Sequence, residues 1–178
     1  MMIYYGTLTD AAVYHDARGN SAWSGYTAEQ QEAALTRGSD YLDQRYRERL
    51  KSGKWVSMFS GSRTDGRSQE NEWPRTGATD YEGNEIGSSE VPVEVKNAAY
   101  EAALREAATP GSLSPDFTMT EQVTKEKVGP IEVQYADTTK AMMPKGVETP
   151  NRPIISEIDE IIAPVLVARY DYPGVRVV

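Results

Sequence analysis

The sequence contains no cysteine, one histidine, two phenylalanines and no apolar run near the roughly 20 residues that a membrane-crossing helix needs. Each shortage removes a class of function. Without cysteine there is no disulfide, thiolate metal site or cysteine nucleophile, and a reducing compartment fits. The lone His15 stands beside Asp16 with nothing to complete a catalytic set, so it is expected on the surface or packed between helices. No H-E-x-x-H, EF-hand loop, Walker A or G-x-S-x-G motif occurs. "GSRTDG" and "GATDYEGNEIG" hold glycines and carboxylates, but their spacing is that of turns. The sequence is therefore not expected to be an enzyme, nor to take a cofactor or metal. The opening "MMIYYGTLTD" lacks a basic and then apolar stretch, so no signal peptide is expected.

Positive charge is also scarce. The net charge is -8 and the isoelectric point near 4.8. That opposes a protein whose whole surface binds nucleic acid, because such affinity comes from cations displacing counterions at phosphates. The distribution is uneven, however. Residues 45–75 carry eight basic residues (Arg45, Arg47, Arg49, Lys51, Lys54, Arg63, Arg67, Arg75) against four acidic ones. Residues 76–160 carry seven basic and sixteen acidic. A basic segment is set within an acidic chain.

A length of 178 residues allows one domain with appendages. Four helices are expected. The first covers 9–19, capped by Thr9 or Asp10 and stopped at Gly19-Asn20, with Trp23 covering it. The second covers 28–50, opened by a Thr27/Gln30 capping box and carrying an inward stripe of Ala34, Leu35, Gly38, Tyr41, Leu42 and Tyr46. Gly38 costs that helix about 1 kcal/mol against alanine, which close approach of a neighbouring helix would offset. The third covers 92–108, with Pro92 in its first turn and an alanine-rich inner face. The fourth covers 153–166, with a broad face of Ile154, Ile155, Ile158, Ile161, Ile162 and Val165. Residues 51–90 read as a long Gly/Ser-rich loop. Alternation around Gly129-Pro130 predicts a β-hairpin over 123–135. The fold class is thus mainly α: a small bundle of three to four helices (1–166) with a long loop, one hairpin and an extended C-terminal arm (167–178).

Two stretches could act. Arg45, Arg47, Arg49, Lys51 and Arg63 lie near Trp55, the composition of a surface that holds phosphates and stacks bases of a single strand. On the expected helix, the alternating cations spread around the axis, and the bland alternative is a solvated helix end pairing with the chain's many acids. "NEWPRTG", Asn71–Gly77, could stack a base on Trp73 and hold phosphate with Arg75. The preferred reading makes it a loop anchor, with the indole filling a gap and Arg75 meeting a carboxylate or carbonyl.

The motifs "ARGNSAW" (17–23), "SDYLDQRY" (39–46), "EWPRTG" (72–77), "KVGPIEVQYAD" (127–137) and "IAPVL" (162–166) together carry a resemblance. In this order they resemble a phage and prophage family often labelled "putative DnaT-like single-stranded-DNA-binding protein". Its architecture is similar to the head–tail connector proteins of long-tailed phages. The resemblance implies a structural virion protein at the neck, made in the host cytoplasm. It would assemble with itself as a dodecameric ring between the portal protein and a downstream neck or tail-completion protein. DNA would be passing cargo in its channel, and no membrane would be involved. Tyr170, Tyr172, Val175, Val177 and Val178 would then be the portal-docking arm. A single-stranded-DNA-binding replication protein is the alternative.

Overall fold

Thr7 opens the first helix, α1 (Leu8–Ala17), by accepting from the Asp10 N–H at 3.0 Å and donating to its carboxylate at 2.8 Å. This computed structural model describes residues 4–50, 52–115, 125–128, 131–134 and 153–167. Helix α2 (Ala28–Arg45) starts with the expected capping box: Thr27 N–H donates to Gln30 Oε1 at 2.9 Å, and Gln30 N–H to Thr27 Oγ1 at 3.3 Å. Helix α3 (Val93–Ala108) follows Pro92, its N-cap residue. Helix α4 (Ser156–Ile162) runs into a 3-10 turn, Ala163–Val165. The chain is mainly helical, as its sequence pattern requires.

Helix α3 is the centre. Val95, Ala98, Ala99, Tyr100, Ala102 and Ala103 are all buried, because α1, α2 and α4 each pack on it. Against α2 the approach is backbone to backbone: a Cβ on Gly38 would lie 3.0 Å from both Ala103 N and Ala99 O. One apolar cluster joins Tyr5, Tyr41, Leu42, Tyr46, Phe59, Trp73, Val95, Ile158, Ile162 and Val165. A second joins Ala11, Tyr14, Trp23, Ala34, Leu35, Tyr100 and Ala103. His15 is fully buried beside Trp23, with ring centroids 4.9 Å apart, and burial lowers its pKa. Two buried carboxylates of α3 have cationic partners. Glu106 meets Arg37 of α2 at 3.1 Å, and Glu101 meets Arg105, which also bonds Glu157 of α4.

The structure corrects several expectations. The first helix is capped by Thr7, not by Thr9 or Asp10, which lie inside it, because the Thr7 backbone is still extended; the last helix begins at Ser156, not at residue 153. Helix α2 ends at Arg45, not at residue 50, and residues 47–49 are a strand. The supposed loop 51–90 is folded into small antiparallel pairs. β1 (Arg47–Arg49) pairs with β2 (Trp55–Ser57), β3 (Ser62–Arg63) with β4 (Arg75–Thr76), and β5 (Ala78–Thr79) with β6 (Glu85–Ile86). Strands of two or three residues are too short for alternation to reveal them. The expected hairpin is present as β7 (Lys125–Val128) and β8 (Ile131–Gln134). The single-hairpin expectation thus gives way to four two-stranded sheets among the described residues.

A clasp ties these pairs to α2. The fully buried Tyr5 donates from its hydroxyl to Asp43 Oδ1 at 2.6 Å and accepts from Trp73 N–H at 3.1 Å. Asp43 Oδ2 accepts from Glu72 N–H at 3.0 Å. Burial pushes the Asp43 carboxyl up to about 7, aided by the Glu72 and Asp40 charges and opposed by these two hydrogen bonds. Trp73 itself is buried edge-on to Phe59, and the Trp73–Pro74 peptide is cis.

Gly38→Ala gains helix propensity but places a methyl against the α3 backbone; we expect a net loss of about 1–3 kcal/mol in urea unfolding, and a gain would refute the close-approach account. For Asp43, the folded pKa lies above the unfolded one, so its contribution is fully present at acid pH and is lost as pH rises towards 7. Comparing denaturation at pH 5 and pH 8, wild type should lose on the order of 3 kcal/mol more than Asp43→Asn. Equal losses would show that Asp43 is ionised throughout.

Candidate nucleic-acid interface

The β1–β2 hairpin begins where Tyr46 leaves the helix. Its ring is buried, its hydroxyl donates to Asp159 of α4 at 2.6 Å, and its carbonyl accepts from Met58 N–H at 2.8 Å. With both ends fixed, residues 47–49 and 55–57 lie side by side as an antiparallel pair. Gly53, at φ 81°, makes the turn, with its N–H bonded to Leu50 O at 2.8 Å. The register sets Arg47 opposite Ser57 and Arg49 opposite Trp55. Arg47, Arg49 and Trp55 therefore share one face, and all are exposed. The Arg47 guanidinium lies 5.5 Å from the centre of the Trp55 ring. Lys54, which the sequence pattern did not single out as a contact, stands exposed beside Trp55.

The other sequence candidates divide sharply. Arg45 points into the body and pairs with Asp159 at 3.2 Å. Arg63 is half-buried, and its guanidinium donates to Gln69 O at 3.0 Å. Lys51 lies outside the described residues, as do Tyr170, Tyr172, Val175, Val177 and Val178 of the expected arm. Helical spacing suggested that the cations were spread around a helix. The strand instead brings Arg47 and Arg49 to one side, separating them from Arg45.

Trp73 and Arg75 are not part of this surface. The Trp73 indole is only 2% exposed, leaving no face on which a base could stack. Arg75 is buried as well. Its Nε donates to Ser60 O at 2.7 Å, its Nη2 to Gly61 O at 2.8 Å, and its Nη1 meets the Glu72 carboxylate at 2.6 Å and carbonyl at 3.1 Å. All three guanidinium nitrogens are engaged in joining residues 60–61 to Glu72. Sequence alone offered a carboxylate or a carbonyl as its partner; it has both.

An open groove of about 440 Å³ lies along α2 and the end of α3, lined by Arg37, Asp40, Tyr41, Gln44, Glu106 and Leu113. Arg37 and Glu106 pair with each other at this groove. Among the described residues no group of three or more His, Asp or Glu side chains is placed to hold a metal ion, and no helix is long and apolar enough to cross a membrane.

Neither the curated proteins nor the solved structures searched contain a match to this chain. One family model, described as "Putative DnaT-like ssDNA binding protein", matches residues 4–178. That span includes the β1–β2 hairpin, the clasp and the four helices described above, and the chain belongs to this family.

Proposed function

We propose that the protein binds single-stranded DNA through the β1–β2 hairpin. The carrying observation is the exposed Trp55 ring with the Arg47 guanidinium beside it, on a strand face that also holds Arg49. An indole stacks on any base, and neighbouring cations follow the phosphates, so such a surface grips single strands with little sequence preference. Family membership supports the same reading. The net charge of -8 does not forbid it. Exposed charges farther away than the Debye length of about 8 Å are largely screened, so a local basic hairpin acts nearly alone at physiological salt. Acidic surroundings make the binding weaker and more dependent on that one hairpin.

A second reading, a head–tail connector ring between portal and neck, is favoured by the overall acidity and by the five ordered motifs. A negative channel wall repels DNA and lets it pass. The internal use of Arg45, Trp73 and Arg75 also fits a protein whose large side chains serve its own framework.

Anisotropy titrations with labelled oligo-dT test the first reading. Trp55→Ala should weaken binding by about 1–3 kcal/mol. Arg47→Ala should lower the slope of log K against log salt by about 0.7. Wild-type affinity in both variants, or no binding by wild type in low salt, would refute it. Quantitative mass spectrometry of purified virions tests the second reading. Copy numbers near parity with the portal are expected of a connector, and absence from particles would overturn that assignment.

A further inference from the structure

Only two aromatic side chains among the described residues are prominently exposed, and they stand on hairpins of opposite charge. Trp55, 47% exposed, is on β1–β2 with Arg47, Arg49 and Lys54. Tyr81, 70% exposed, is at the tip of β5–β6, beside the exposed Glu82 and Glu85. Both hairpins are fixed to the body rather than loose. β1–β2 is held at its base by Tyr46 and Met58. The β5–β6 turn is held by Asp80, whose carboxylate accepts from Glu82 N–H, Asn84 N–H and Asn84 Nδ2, each at 2.9 Å. Tyr81 N–H adds a 2.8 Å bond to Pro164 O. The inner side of this pair is committed to the core, with Ala78 buried and Ile86 packed on the main cluster. A rigid turn therefore displays a tyrosine and two glutamates that the protomer does not bury.

We infer that the acidic Tyr81 turn of one copy docks on the basic Trp55 hairpin of a second copy. Charge complementarity selects this partner. Copies carrying -8 repel one another generally, so any association must run through a local patch of opposite sign, and β1–β2 is a cationic patch bearing an exposed aromatic. Aromatic side chains in that setting are the residues enriched at protein interfaces. The rings do not cover each other within one protomer, as their exposures show. Because the two surfaces differ, the contact is heterologous and runs head to tail, closing into a ring or continuing as a filament. This rests on the proposal that β1–β2 is the DNA-contacting surface, and it supplies that surface with regulation: a neighbouring copy and a single strand compete for Trp55 and Arg47.

The test is a charge exchange on the full chain, read by sedimentation velocity and by anisotropy with labelled oligo-dT. Wild type should associate with rising concentration and dissociate in high salt. Arg47→Glu with Lys54→Glu, and separately Glu82→Lys with Glu85→Lys, should each weaken self-association at least about tenfold. An equimolar mixture of the two double variants should form a complex again, which a mere folding defect could not produce. Oligo-dT should disperse wild-type assemblies. A wild type that remains monomeric, or a mixture that remains apart, overturns the inference even if oligo-dT still binds. If the mixture recombines but no protein binds oligo-dT, the self-contact stands and the DNA reading and its competition fall.

Discussion

Helix α2 lies against α3 at backbone distance because Gly38 has no side chain, and the rest of the body is arranged around that contact. Ala99 and Ala103 supply the opposite surface, so the two helices meet without a layer of large side chains between them. The helical cost of glycine is offset by this closeness. With α2 in place, Leu35 and Leu42 reach separate clusters on either side of the contact. Burying α3 so completely would strand its Glu101 and Glu106, and each is met by an arginine. A buried carboxylate without such a partner would be costly.

The C-terminal half of α2 carries the non-helical part of the chain. Asp43 receives Tyr5 and Glu72, Arg45 and Tyr46 reach Asp159, and Tyr41 donates to Pro153 O at 2.6 Å. One helix end thereby joins the amino-terminal segment, the small β pairs and α4. Phe59 and Met58 extend the join by bonding Leu166 and Val167. Residues 55–86 are held to the body with only strands of two or three residues. Buried anchors and carbonyls around Arg75 replace long strands as the source of order.

The same anchoring sorts the basic residues into two groups. Arg45, Arg63 and Arg75 neutralise or bridge internal acceptors, while Arg47, Arg49 and Lys54 are displayed with Trp55. A count of charges cannot make that distinction, because it depends on which side of a strand each side chain takes. The proposed DNA contact and the proposed self-contact differ in what meets the displayed group. A nucleic-acid strand or a neighbouring copy would use the same cation and ring, and both would respond to salt.

Helix existence was legible from local chemistry. The Thr27/Gln30 box, the Leu35–Leu42 stripe, the glycine stop at Gly19 and the alanine run of α3 each act over one or two turns, and the structure has the corresponding helices. Trp73 and Arg75 could be marked as a candidate anchor because a tryptophan and an arginine in a polar segment call for a partner. What local chemistry could not supply was the end of α2. Residues 46–50 are compatible with helix by composition, but burial of Tyr46 against Asp159 and pairing of residues 47–49 with 55–57 outweigh that preference. So the sequence by itself determined the mainly helical class, the capped start of α2 and the acidic balance, the first two through neighbours within a few residues. Only the tertiary structure decided which arginines are enclosed and which face outward with Trp55, because that choice depends on how the chain folds back on itself, from Arg75 on Ser60 to Arg45 on Asp159, 114 residues away.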